Sequence, residues 1–337
     1  MRNSIHAAPA SSAANRLAEA ISLSAASPSA VEIIEGLSAP GAWVSPKYLY
    51  DDLGARLFQA ITELPEYYPT RVEQGIFAHH AAEMAGAIGP GSTFIDLGAG
   101  DCEKAGSLFP AIKPAQYVAV DISADFLRDA VDALRLRFPA VEMLTVATDF
   151  SSGLALPATV NASRRTFFYP GSSIGNFAPL AALNLLTDVR RNCLHEGGDG
   201  GLLIGVDLVK DSLMLEQAYD DALGVTAAFN LNLLNHLNKL IGSDFSVRDW
   251  RHHALFNARL SRVEMHLEAK QQVDVAWPGG GRRFGQGERI HTENSYKYIL
   301  QQFHSLLEQA GFARVRTWTD EHGWFAVCHA SAPRSGA

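Results

Sequence analysis

The chain has 337 residues, 47% of them apolar and 19% charged, somewhat below the typical charged share of roughly 25%. This is material for two domains, or for one large domain with an insertion, and it excludes a coiled coil, a small stapled module and global disorder. Lys and Arg number 28 against 36 Asp and Glu, and the net charge of −8 without a basic run argues against a nucleic-acid or anionic-membrane surface, leaving a small molecule as the expected partner.

Residues 1 to about 17 are rich in Ala and Ser with little to bury and read as a flexible tail. From Arg16 to Leu37, Leu17, Ala20, Ile21, Val31, Ile34 and Leu37 recur at helical spacing, and Pro28 splits the stretch into two expected short helices. A helix is expected after Tyr50, with Asp51 and Asp52 favourable in its first turn; Pro65 and Pro69 then break it, and another begins near Thr70. From Gly91 the texture changes to STFIDLGAG, EKAGSLFPAI, QYVAVDIS, ADFLRDAVDALRLRF, VEMLTVATDF, RTFFYPGSSIGNF, LAALNLLTDVRRNCL, HEGGDG and GLLIGVDLV. This βαβα rhythm predicts a parallel sheet covered by helices.

After Val209 the rhythm fails. KDSLMLEQAYDDALGVTAAFNLNLLNHLNKLIG reads as helices. LSRVEMHLEAKQQVDVAW reads as strand, with Val263, Met265 and Leu267 on one face and Arg262, Glu264, His266 and Glu268 on a wet one. SYKYILQQFHSLLEQAG returns to helix, ARVRTWTDEHGWFAVCHA forms a hairpin turning at DEHG, and SAPRSGA looks frayed. The expected fold class is α/β, a doubly wound sheet with an inserted α+β domain. The substrate-binding domain is assigned to 18–71 and 210–296, and the sheet domain to 72–209 and 297–332.

Asp96-Leu97-Gly98-Ala99-Gly100-Asp101 follows a strand and opens a helix, the setting in which a glycine turn lets a ligand approach the backbone. The dinucleotide fingerprint GxGxxG needs a glycine where Glu103 stands, so pyrophosphate binding is disfavoured. Instead, Asp121 ends the second strand, placed to accept from both hydroxyls of a ribose, and Asp149 closes the third. Each Asp alone reads equally well as a helix cap. In this order the three resemble the class I methyltransferases that bind S-adenosylmethionine, which also close their sheet with an antiparallel strand. The resemblance implies cofactor contacts at Asp96, Gly98, Gly100, Lys104, Asp121, Asp149 and Phe150. Cys102 departs from that pattern, which often has a third glycine.

KYLYDDLGARLF, TELPEYYPTRVE, GSSIGNF, DLVKD with AYDDALGVTAAFN, and HTENSYK occur in matching order, and together they resemble the L-histidine Nα-methyltransferase family of ergothioneine biosynthesis. The resemblance runs from about residue 20 to about residue 330. It implies trimethylation of histidine to hercynine, with Tyr50, Phe58 and Tyr67 lining an amino-acid pocket and Gly171 and Asn176 meeting the carboxylate and amine. It further implies Tyr219 as a second carboxylate group, Met265 as an apolar wall, and Glu293 with Ser295 as holders of the imidazole. Tyr50, Asn176 and Tyr219 are the expected catalytic residues, with Tyr50 as a candidate proton acceptor. A same-fold methyltransferase acting on another free amino acid, and a non-catalytic binder of S-adenosylmethionine or amino acids, stay open.

Cys102, Cys193 and Cys328 form no CxxC pair, so neither a disulfide framework nor a zinc site is signalled. The adjacent pairs His79-His80 and His252-His253 cannot face one site, and no metal is expected. Gly171-Ser172-Ser173-Ile174-Gly175 fits the GxSxG spacing formally but lacks a clear strand-turn-helix setting. With no apolar stretch of about 18 residues, a soluble, cytoplasmic monomer is expected, with no membrane partner.

Overall fold

A computed structural model of the chain describes residues 27–150, 153–195 and 199–333. The expected N-terminal tail, the helical positions Leu17, Ala20 and Ile21, part of HEGGDG and the last four residues lie outside the described residues. Backbone contacts divide the rest into two units, one of residues 27–59, Leu223–Ala254 and Met265–Glu293, the other of Ala60–Ala222, Leu255–Glu264 and 294–333.

The described chain opens on α1 (Pro28–Ser38), where the Ser27 hydroxyl caps the helix by accepting from Ala30 N–H at 3.2 Å. Pro28 starts the second of the two expected helices, since a proline in the first turn sacrifices no helical N–H. α2 (Asp52–Thr62) follows, with Asp51 Oδ1 accepting from Gly54 N–H at 2.9 Å. α3 (Tyr68–Ile88) begins slightly before the expected Thr70, its first turn tolerating Pro69 for the same reason.

The alternating stretch then gives β1 (Thr93–Leu97), α4 (Glu103–Ile112), β2 (Gln116–Asp121), α5 (Ala124–Arg137), β3 (Glu142–Ala147), β4 (Arg165–Tyr169), α6 (Pro179–Cys193) and β5 (Gly201–Asp207). Beyond it lie α7 (Ser212–Gln217), α8 (Val225–Ile241), β6 (Trp250–Asn257), β7 (Arg262–Ala269), β8 (Val273–Trp277), β9 (Gly280–Phe284), β10 (Arg289–Tyr296), α9 (Leu300–Gln309), β11 (Ala313–Thr319) and β12 (Phe325–Ser331).

In the second unit the strands form one sheet in the order β11-β12-β5-β4-β1-β2-β3. β3 through β5 run parallel, while β12 is antiparallel to both of its neighbours. Every residue of β1, β4 and β5 is buried, as strands covered on both faces require. Ile95, Val118, Phe167 and Ile204 pack into the core on one face, and Phe94, Tyr117, Phe168 and Leu203 into that on the other. This is the expected doubly wound, Rossmann-like sheet with an antiparallel strand near its end. Its order reverses between β1 and β4, so the carboxyl ends of β1, β2 and β4 open on the crevice where such sheets bind ligands.

The region after Val209 differs from expectation in three ways. LSRVEMHLEAKQQVDVAW is two strands: β7 joins a sheet ordered β10-β7-β6, and β8 pairs with β9. The wet face of β7 is not wet, for Glu264, His266 and Glu268 are all buried. Glu268 is met by Arg251 of β6 and by Arg289 of β10 at 2.8 Å, across strands, while Arg262 holds Glu264 at 2.7 Å along β7 itself, so alternation here records charge pairing. Finally, Ser295 and Tyr296 finish β10 instead of starting a helix. Lys297 N–H bonds Ser261 O at 2.7 Å and Tyr298 N–H bonds Asp207 O at 2.9 Å, which keeps the segment extended until α9.

Within the first unit, Phe245, Trp250 and Phe284 form an edge-packed aromatic core. Asn232 of α8 donates to Asp51 Oδ1 at 2.7 Å, and Arg282 of β9 donates to Leu37 O and Ala39 O at the end of α1. The N-terminal segment and the later insertion are thereby tied into one body.

Candidate active site

The glycine turn bends because three of its residues take left-handed backbone: Gly98 (φ 68°), Gly100 (φ 53°) and Cys102 (φ 62°). Gly98 N–H and Ala99 N–H both donate to Val120 O, which locks the turn to β2. A Cβ built at Gly98 or Gly100 would meet nothing within 4 Å, so the turn's open side is space left for a ligand. Cys102 takes the conformation a glycine favours, which is why the pattern often places one there. Its thiol is buried and pushed up to about 12 by that burial, which leaves it unreactive.

Two carboxylates flank the turn. Asp96 is buried at the end of β1; Tyr117 Oη donates to its Oδ2 at 2.8 Å, while its Oδ1 has no hydrogen-bond partner. Burial, opposed by the Tyr117 bond and reinforced by the charge of Asp121, raises Asp96 to about 7. Asp121 accepts Gly100 N–H on Oδ2 and Ser123 N–H on Oδ1, both at 3.1 Å. Each oxygen keeps a second acceptor position, which suits a ribose diol. Thr148 N–H bonds Asp121 O at 2.9 Å and brings Asp149 to the same sheet end, and Phe150 packs edge-on to Tyr169 at 5.9 Å. An adenosyl group carrying a positive charge fits this set: open glycines, a diol acceptor, and a buried carboxylate oxygen still lacking a donor.

Lys104, in the first turn of α4, leads to a residue that pattern reading missed. Its ammonium lies 2.6 Å from Glu73 Oε2, and Gly171 N–H donates to Glu73 Oε1 at 2.8 Å. Glu73 is fully buried. A Cβ on Gly205 of β5 would fall 2.1 Å from Glu73 Oε1, so that glycine makes room for the carboxylate. The available signal was a glutamate at helical spacing among the buried Pro69, Ile76 and Phe77 of α3.

A second missed cluster sits where β5 ends. Asp207 is fully buried and receives Tyr68 Oη at 2.7 Å, Lys297 at 2.7 Å and Lys210. Lys297 also donates to Tyr219 Oη at 3.0 Å and Ser295 Oγ at 2.9 Å, and Tyr219 donates to Ser295 at 2.7 Å. Burial pushes Asp207 up, but the Lys297 and Lys210 charges outweigh it and hold the carboxyl below its usual value. Burial brings Lys210 down to about 8 against the pull of Asp207. The ring of Tyr67 lies edge-on to Tyr219 at 6.1 Å. Thus Tyr67, Tyr219 and Ser295 are brought together in the second unit. Gly171 (φ 74°) and Ser172 (φ 56°) precede the short turn of helix Ser173–Asn176 that carries Asn176. The Ser173 hydroxyl donates to Pro170 O and that of Ser172 accepts from Asp207 N–H, so both serve the loop's shape.

In the first unit, Tyr50 stands edge-on to Phe58 at 5.6 Å and to Phe229 at 5.5 Å. Met265 and Glu293 are buried on β7 and β10, which are neighbours in the sheet. Thr292 Oγ1 donates to Met265 O at 3.0 Å, and His291 Nε2 lies 3.0 Å from Glu293 O. Among the described residues no group of three or more His, Cys, Asp or Glu is arranged to hold a metal ion, and no helix is long and apolar enough to cross a membrane.

Residues 29–332 match a family described as histidine-specific methyltransferase, SAM-dependent. The chain is 37% identical over 302 residues to the histidine N-alpha-methyltransferase of Mycolicibacterium smegmatis, covering 88% of this chain and 92% of that one. It is 30% identical to N-methyltransferase imqF of Aspergillus flavus, covering 87% and 82% of the two chains. It is 31% identical to ergothioneine biosynthesis protein 1 of Neurospora crassa, where the match covers 82% of this chain and 32% of that protein.

Proposed function

Because the chain belongs to the family of histidine-specific, S-adenosylmethionine-dependent methyltransferases, we propose that it trimethylates the α-amine of free L-histidine to hercynine, a step of ergothioneine biosynthesis. The observation that carries the chemistry is the cradle at the ends of β1 and β2, where open glycines stand beside a diol acceptor and a carboxylate oxygen without a donor. Bound there, the cofactor supplies a methyl group activated by a sulfonium.

The protein's own task is alignment, since an in-line displacement needs the amine held at near-attack distance. Gly171 and Asn176 serve the amino-acid end, Glu293 accepts an imidazole N–H, and Ser295 meets the other ring nitrogen. Tyr67, Phe58 and Met265 supply apolar walls. Each added methyl removes a donor from the amine, so the grip has to rest on the ring and the carboxylate, whose contacts persist through every turnover. The attacking amine must first lose a proton, and the Tyr50 hydroxyl is the group assigned to relay it. After the third transfer the nitrogen has no lone pair, and the sequence stops by chemistry.

The test is to incubate the protein with S-adenosylmethionine and each of the twenty amino acids and to follow products by mass spectrometry. Histidine alone gaining one, two and then three methyl groups is the expected result. Methylation of another amino acid instead would move the assignment to that substrate, and no release of S-adenosylhomocysteine with any of them would overturn it.

A further inference from the structure

We propose that Tyr117 is a positioning residue for the cofactor, whose phenol holds the Asp96 carboxyl beside the glycine turn and keeps it ready to become the counter-charge of the cofactor's ammonium. This rests on the reading of the β1–β2 cradle as the S-adenosylmethionine site. Tyr117, Asp96 and the turn all belong to the second unit. The strand order β4-β1-β2-β3 sets Asp96 of β1 on one side of the diol acceptor Asp121 and Asp149, after β3, on the other. A ligand with its ribose on Asp121 and its base toward Asp149 therefore has its amino-acid end over β1, at Asp96.

Tyr117 is fully buried in the apolar core that holds Phe94 and Phe109, its ring edge-on to Phe109 at 5.1 Å. Packing there asks for a ring and not for a hydroxyl, and a buried hydroxyl costs free energy unless it is bonded. On the parallel pair β1–β2, Phe94 stands level with Tyr117 and Asp96 with Ala119, so all four side chains share one face. Ala119 is small, which leaves the phenol room to reach along the sheet to the carboxyl. It donates to Asp96 Oδ2 at 2.8 Å, and since Oδ1 has no hydrogen-bond partner, this phenol is the donor that orients the group.

A phenol that donates to a carboxyl favours its charged form. The other groups facing Asp96 are Asp121 at the end of β2 and Asp101 in the turn, whose charges oppose ionisation, and Lys104 of α4, held by Glu73 of α3, whose charge favours it. The Cys102 thiol faces the Tyr117 hydroxyl and is neutral. Burial and the Asp96 charge push the phenol itself well above its usual 10, so it stays a donor throughout. Near neutrality the empty carboxyl is thus shared between its two forms, and an arriving ammonium tips it to the carboxylate while the proton leaves for solvent. Without the phenol the neutral acid persists to higher pH, and the ammonium meets no charge.

The test compares wild type with Tyr117→Phe, which keeps the ring and its packing and removes only the hydroxyl. Calorimetry with S-adenosylhomocysteine from pH 6 to 8.5 should show wild-type affinity levelling off above 7, while the variant's keeps climbing to a point about one to two pH units higher, as the loss of a hydrogen bond to a charged group implies. At pH 7 the variant should bind about fivefold or more weakly, and the gap should narrow toward pH 8.5. The ligand's own ammonium titrates alike in both, so the comparison isolates Tyr117. A merely structural role would instead give the same gap at every pH. In the empty protein, ¹³C NMR of carboxyl-labelled aspartate, with the Asp96 signal identified by its loss in Asp96→Asn, should titrate near 7 in wild type and higher in Tyr117→Phe. A gap that does not change with pH, equal Asp96 midpoints in the two proteins, or a wild-type midpoint at the ordinary 3.8 overturns the role of Tyr117 and leaves the cofactor site standing. Failure of wild type to bind S-adenosylhomocysteine at any pH overturns the cradle reading, and this proposal with it.

Discussion

Glu73 and Lys104 meet at 2.6 Å, a fully buried carboxylate against an ammonium whose side chain is still 27% exposed. The other oxygen of Glu73 holds Gly171 N–H, so one side chain of α3 fixes both the lysine after the glycine turn and the loop that leads to Asn176. In Glu73→Gln the amide oxygen can keep the Gly171 bond, but its NH₂ then faces an ammonium. A loss of about 1–3 kcal/mol in stability is expected, with larger loss in Glu73→Ala because Gly171 N–H is also left unpaired. S-adenosylhomocysteine affinity should fall in both, since Lys104 is no longer held. Chemical denaturation and calorimetry check this, and wild-type stability in Glu73→Ala would contradict it.

Asp207 carries two buried lysines, and the consequences of removing members are unequal. Asp207→Asn strands two ammonium groups and should cost about 3–5 kcal/mol. Lys297→Met leaves a balanced Asp207–Lys210 pair still bonded to Tyr68, so it should be the milder change. Because the folded carboxyl sits below its usual value, its stabilisation is present above the unfolded carboxylate range and disappears as pH falls through the folded one. Urea melts of the variants at pH 7, with an acid series for wild type, read both effects.

The sheet was legible because β1 to β5 are short apolar runs with helices between them, and period and punctuation alone give that rhythm. The position of Asp96 and Asp121 at strand ends was legible for a related reason: a strand end is a place that sequence can locate. What escaped was set by partners far apart in the chain. Glu73 looks like a surface helix residue until Lys104 and Gly171 are brought to it, and Glu268 looks wet until Arg251 and Arg289 meet it. Likewise Lys297 lies in the quoted HTENSYK segment, yet nothing local says that its ammonium is buried against Asp207. Pro69 was read as a break when it sits in the first turn of a helix, because a proline ends one helix and begins another with the same lack of an N–H.

Asp121 and Glu293 should separate the two ligands cleanly. Asp121 has both oxygens anchored by backbone N–H groups, so Asp121→Ala removes a preset diol acceptor and should weaken S-adenosylhomocysteine binding by about 10-fold or more, from the loss of charge-assisted bonds. Histidine affinity should be little changed. Glu293→Ala should do the reverse, sharply weakening histidine while the cofactor still binds. Calorimetry with each ligand on each variant gives four values, and unchanged histidine binding in Glu293→Ala would remove the imidazole assignment.

Asp96 gives the cofactor site a pH dependence of definite sign. Burial raises its carboxyl to about 7, so the empty folded protein holds a proton there that the unfolded chain releases near its ordinary value of 3.8. The stabilisation from that protonated form is therefore full at acid pH and is lost as pH rises toward 7. A ligand bearing a positive ammonium favours the carboxylate and expels the proton, so its affinity should climb with pH, by up to about tenfold per unit, and level off above 7. Asp96→Asn keeps the shape but cannot ionise, and it should bind S-adenosylhomocysteine more weakly with a flat profile over the same range. Calorimetry in two buffers of different ionisation enthalpy measures the proton directly: release near pH 6.5 in wild type and none in Asp96→Asn is the expected pair of results, and equal release in both would move the proton to another group.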